Sequence, residues 1–143
     1  SEPEEFSIDA LARCGVEPWF GVRNYQARNF MRDDMRMGDG VFFYHSNCAE
    51  PGIVGLAEVA SAAYADPTQF DPKSDYYDAA SPPDNPRWLC VDVAFKRKLK
   101  RTITLDELKA MDGLGDFALT RRGNRLSVLP VTPAQWKKIL SVE

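Results

Sequence analysis

The sequence predicts an α+β domain, a curled, mostly antiparallel β-sheet with short helices packed on it. Three observations lead there. The chain has 143 residues, the size of one ordinary domain. Helical and strand-like runs interleave irregularly, without the regular strand–helix alternation of a parallel sheet. The run Val41-Phe42-Phe43-Tyr44-His45-Ser46 is apolar on both alternating faces, as a central strand must be.

The elements follow in order. In Phe6-Ser7-Ile8-Asp9-Ala10-Leu11, Ser7 is placed to cap a helix while Phe6 staples to Leu11. A second helix is expected over about 24–36, with Ala27, Phe30, Met31 and Met35 on one face, stopped by Gly38-Asp39-Gly40. Strands are expected over 41–46 and 53–60. Residues 66–86 carry Pro67, Pro72, Pro82, Pro83 and Pro86 among Asp, Ser and Asn, so they read as an irregular surface loop. A loop of that length is more often functional than accidental. Neither flank is long enough to hold its own core, and the whole of 1–143 reads as one domain. In the strand-like run 88–95, Leu89, Val91, Val93 and Phe95 form one apolar face, expected to lie in one core. In Ile103-Thr104-Leu105-Asp106-Glu107-Leu108, Thr104 and Glu107 suit a capping box. A short strand is expected over 125–129, placing Leu126 and Val128 together. In Val131-Thr132-Pro133-Ala134-Gln135-Trp136, Thr132 caps and Pro133 takes the first helical position, with Trp136 in the core.

Composition excludes several functions. The three cysteines, Cys14, Cys48 and Cys90, are widely spaced with no CxxC pair, so neither a disulfide framework nor a structural zinc is expected. No stretch approaches the ~18 apolar residues of a membrane span, and the acidic start Ser1-Glu2-Pro3-Glu4-Glu5 is unlike a signal peptide. A cytoplasmic location, nucleoid-associated in a bacterium, is the expectation. A net charge of −3 argues against sequence-blind coating of nucleic acid or membrane. The charges are segregated, however: Arg87, Lys96, Arg97, Lys98, Lys100 and Arg101 face only Asp92 between residues 87 and 101.

For catalysis, the one histidine, His45, is the only candidate acid or base near neutral pH other than a shifted carboxylate. Ser46 beside it points to the opposite face of the strand, and no GxGxxG, P-loop or HExxH is present. Binding fits better. Around Trp19, the residues Gly21-Val22-Arg23-Asn24-Tyr25-Gln26-Ala27-Arg28-Asn29 mix aromatic, amide and guanidinium groups, which suit a flat heterocycle with a phosphate attached. Arg28, Arg32 and Arg36 recur every four residues along one helix, and Trp88 follows Arg87.

That block, with Ser1-Glu2-Pro3, Phe43-Tyr44-His45-Ser46-Asn47, Gly52-Ile53-Val54-Gly55, Arg87-Trp88, Val91-Asp92-Val93 and Arg125-Leu126-Ser127, resembles the EVE domain family across essentially the whole chain. The resemblance implies a PUA-like fold, an α+β, curled, mostly antiparallel β-barrel with short helices packed around it, related to YTH and ASCH domains. It also implies an aromatic pocket for a modified base, of the 5-methylcytosine or 5-hydroxymethylcytosine type. On this chain the implied pocket draws on Trp19, Asn24, Tyr25, Arg28, Tyr44, His45, Ser46, Trp88 and Ser127, with Arg23, Arg32, Arg87 and Arg125 toward phosphate. Family members carry an apolar strand before Ser-Glu-Pro, and this chain starts at Ser1, so an open sheet edge is expected. The expectation is thus a non-catalytic module, a monomer or weak dimer, binding DNA, or in second place RNA, that carries a modified base. It needs no cofactor, metal or membrane. The alternatives are a nucleotide-processing enzyme using His45 and a small-molecule regulatory domain.

Overall fold

The computed structural model describes residues 1–124 and 126–143. Helix α1 (Ile8–Cys14) leads into β1 (Val16–Pro18), then α2 (Tyr25–Asp33), β2 (Gly40–His45) and β3 (Gly52–Val59). A short ribbon, β4 (Tyr64–Ala65) with β5 (Leu89–Cys90), brackets the 66–86 loop. The long strand β6 (Asp92–Thr104) runs straight into α3 (Leu105–Ala110), and α4 (Pro133–Leu140) closes the chain. The main sheet is antiparallel in the order β1-β6-β3-β2. Its register shifts between Phe43 and Tyr44, between Ile53 and Gly55, and between Leu56 and Ala57. Each irregularity bends the strands and adds twist. The sheet therefore curls into a half-barrel with a few short helices.

Both faces of the curl are covered. Ile8 and Leu11 of α1, with Ala27 and Met31 of α2, pack on Phe43, Ala57, Val59, Val91 and Val93. The second core joins Ile53, Leu99 and Ile103 to Leu108 of α3, Ile139 of α4, and Leu114 and Phe117 between those helices. α1 comes so close to the sheet that a Cβ on Gly55 would meet Ile8 Cδ1 at 2.5 Å. Ser7 caps α1 by accepting from the Ala10 N–H, and Thr132 and Gln135 form a reciprocal capping box on α4.

Several expectations are corrected. The apolar face through Leu89, Val91, Val93 and Phe95 is not continuous, because pairing breaks at Val91 between β5 and β6. Trp88 and Cys90 are buried before the break (6% and 0% exposed), and Val91 and Val93 after it (3% and 6%), so the break inverts which side chains point inward. Leu89 and Phe95 are half-buried. The strand also continues to Thr104, through the basic run. Lys96 pairs with Glu58, Arg97 with Glu143, Lys98 with Asp9 and Arg101 with Glu107, while Leu99 and Ile103 turn inward. Of the strand expected over 125–129, Arg125 lies outside the described residues and 126–129 form no strand. Leu126 and Val128 nonetheless both pack on the first core.

α2 ends at Asp33 rather than Arg36, because the Gly38 N–H donates to Val59 O and the Val59 N–H to Asp39 O, drawing the chain into the sheet. Thr104 caps α3, but the Glu107 carboxylate turns to both Nη atoms of Arg101, so the expected capping box is half made. Trp136 lies outside both cores: it stacks on Phe42 at 4.1 Å between ring centroids and covers Gly40. The outer edge of β2 is met at its end by the chain start. The Ser1 ammonium donates to Tyr44 O and the Ser46 N–H to Ser1 O, one step of a parallel ladder. Among the described residues, no helix is long and apolar enough to cross a membrane, and no group of three or more His, Cys, Asp or Glu could hold a metal ion.

Candidate functional site

With Ala27 and Met31 anchored in the core, α2 presents Gln26, Asn29, Phe30 and Asp33 along one side, at helical spacing. Opposite them runs the irregular 126–130 segment. Between the two lies a groove of about 240 Å³, lined across from α2 by Leu126, Val128 and Pro130. It combines two planar amides, an aromatic ring, aliphatic walls and two carboxylates, Asp33 and Asp34, a mixture of apolar surface and a few polar groups that suits a flat polar ring.

A layered stack stands behind the groove. The Trp88 indole donates its Nε1–H to Asp78 Oδ2 at 2.7 Å, which chiefly holds that carboxyl below its ordinary range. Tyr25 stacks on Trp88 with centroids 4.8 Å apart and planes at 28°. The Arg28 guanidinium lies 4.7 Å from the centroid of the Tyr25 ring. Arg28 donates Nη1–H to Arg87 O at 3.0 Å, and both Nε–H and Nη2–H to Asn29 Oδ1, at 3.1 and 2.8 Å. Asn29 is thus tied to Trp88 through two intervening side chains.

The 66–86 loop is fastened to the same end of α2 by buried polar groups. The Gln69 amide donates to Asp66 O and Trp88 O, and its Oε1 accepts from the Ser81 hydroxyl and the Trp88 N–H. All four of its hydrogen-bonding positions are used. Burial alone would raise the Asp66 pKa, but donors from Thr68, the Gly21 N–H and Arg23 hold it below the ordinary value. Gly21 has φ +89°, a conformation that favours glycine, and sits beneath the exposed Tyr76 ring, which a Cβ would push aside.

The expected site residues divide. Tyr25, Arg28 and Trp88 come together around the first turns of α2, with Asn24 as its N-cap, accepting from the Gln26 and Ala27 N–H groups. Ser127 is exposed on the facing 126–130 segment. Trp19, Tyr44, His45 and Ser46 do not line this groove. Trp19 is half-buried, edge-on to Phe6 and Phe43. Tyr44 packs on the second core, and the Ser46 N–H is bound to Ser1 O. His45 Nε2 accepts the Ile8 N–H at 3.0 Å, the first turn of α1, and burial lowers its pKa.

Arg23, expected toward phosphate, is engaged within the chain. Its five N–H groups reach Tyr76 O twice, Val22 O, Asp66 Oδ2 and Thr68 Oγ1, so it serves to hold the loop. Arg32 is exposed and paired with Asp33, and Arg87 is half-buried and paired with Asp78. Gln26, Asn29, Phe30, Leu126 and Val128 line the groove although the sequence marks none of them as a site residue: Gln26 and Asn29 read only as part of the block after Trp19, Phe30 as part of the apolar face of α2, and Leu126 and Val128 as strand residues.

Comparison with known proteins follows this geometry. A family model described as EVE domain matches residues 1–142. Thymocyte nuclear protein 1 of Danio rerio is 52% identical over 133 residues, covering 87% of this chain and 57% of that protein. The chain thus spans little more than half the length of that relative. A crystal structure of a Pseudomonas putida protein has a TM-score of 0.95 at 52% identity, covering 99% of this chain and 95% of the other. Human THYN1, solved in complex with 5-methylcytosine-containing DNA, has a TM-score of 0.88 at 44% identity, covering 96% of this chain and 85% of the other.

Proposed function

The chain belongs to the EVE domain family, and from that premise we propose that it is a non-catalytic module that binds DNA carrying a modified cytosine in the groove beside α2. The observation that carries this reading is the backbone shared with human THYN1, solved with 5-methylcytosine DNA, at a TM-score of 0.88. In this reading a base leaves the stack and enters the groove, where Phe30 and the apolar Leu126 and Val128 meet its ring and 5-methyl group. Tyr25 and Trp88 brace the helix behind it, and Arg32 and Arg87 exchange their surface carboxylates for phosphates. The use of the His45 Nε2 lone pair by the Ile8 N–H supports binding over acid–base chemistry.

The test is a titration with oligonucleotides that differ only in cytosine, 5-methylcytosine, 5-hydroxymethylcytosine or methyladenine, in DNA and in RNA. Burying one methyl group is worth ~0.8 kcal/mol, so 5-methylcytosine DNA should bind about fourfold tighter than its unmodified counterpart. Equal affinities would overturn methyl recognition. Chemical conversion of the oligonucleotide over hours would overturn the non-catalytic reading.

A further inference from the structure

We propose that Arg28 is a positioning residue that turns Asn29 into a dedicated hydrogen-bond donor in the groove, so that the site selects a cytosine-type edge over a thymine-type edge. This rests on the reading of the groove as a base site. A free asparagine amide offers a carbonyl at one end and two N–H donors at the other, and can present either end to a ligand. Here the choice is made within the chain. The Arg28 fork places Nε–H and Nη2–H on Asn29 Oδ1, and Arg28 is itself held by Arg87 O and by the Tyr25 ring. Reversing the amide would set its N–H groups against a guanidinium that has only donors. The Nδ2 end, which has no acceptor among the described residues, is therefore the end left to meet a ligand in the groove that Asn29 lines.

A cytosine ring offers O2 and N3 as acceptors for such donors, and its N4 amine can donate to a carboxylate such as Asp33. Thymine carries the same 5-methyl group and the same O2 acceptor, but its protonated N3 would face Asn29 donor to donor and its O4 would face Asp33 acceptor to acceptor. The apolar walls cannot tell these two bases apart, whereas an amide held as a donor beside a carboxylate can.

The experiment compares two oligonucleotides identical except for 5-methylcytosine or thymine at one position. One well-placed polar contact discriminates by roughly 5- to 150-fold, and the wild-type chain should prefer 5-methylcytosine within that range. Asn29→Asp keeps the shape but removes the donors, and should bring the ratio close to one. Arg28→Gln releases the amide to turn and should lower the ratio several-fold, with melting temperatures recorded for both variants. Equal weakening toward both oligonucleotides, with the ratio kept, would mean that these residues act only through fold or phosphate, and would overturn this proposal alone. A wild-type chain that binds neither oligonucleotide would overturn the base-site reading and this proposal with it.

Discussion

At the scale of single residues, His45 turns from a catalytic candidate into a helix cap with a measurable titration. Its Nε2 can accept the Ile8 N–H only while the ring is neutral. Burial holds the folded-state pKa below the ordinary 6.5. The contribution to stability is therefore complete above the unfolded value, about pH 6.5, and is lost as pH falls through the lowered folded-state value. Because the chain has one histidine, an NMR titration reports it without assignment. We expect a midpoint below 6.5 and a denaturation midpoint that falls with it, and a midpoint at or above 6.5 would refute the cap. The same kind of hidden use explains which site residues were legible. Tyr25 and Arg28 stand out in the sequence because aromatic and guanidinium groups crowd the start of α2, and Trp88 because it follows Arg87, but the stack that joins them across distant stretches of the chain carries no local signal. Asn24 and Arg23 share their chemistry but are spent on the backbone and the 66–86 loop, and only coordinates separate a spent donor from an available one.

At the scale of elements, α1 comes close to β3 at one point, where Ile8 lies against Gly55. Gly55→Ala should cost about 1–3 kcal/mol, as overpacking in a tight core does. Ile8→Ala deletes both atoms in the way, Cδ1 and Cγ1, so the double variant should lose less than the sum of the single losses in a denaturant series. Strict additivity would show that the strain lies in the backbone near Arg97 O instead. The capped ends of α1 and α4 and the strands beginning near Gly40 and Gly52 were legible, since caps, staples and apolar alternation are local signals. β6 was cut short at Phe95 because a run of Lys and Arg reads as a solvated face until its carboxylate partners, distant in sequence, are known. The missed break at Val91 is also non-local: it arises where the strand leaves β4 for the main sheet, and no residue type marks it.

Considered whole, the molecule is acidic, with a net charge of −3, and its densest basic stretch is largely neutralised along β6. We expect about three phosphate contacts, so that affinity for duplex DNA falls roughly 40-fold between about 50 and 200 mM salt, against ~10³ or more for a strongly basic binder. A loss of the larger size would place the binding energy in phosphate contacts rather than in the groove. β6 has a further consequence at this scale. It is one continuous strand that lends Val93 to one hydrophobic core and Leu99 and Ile103 to the other. Neither half can melt away while its neighbour stays intact, because both would have to surrender the same ladder with β3. The two cores thus behave as a single cooperative unit, and a half-open species with one greasy face bared to the cell is denied a foothold.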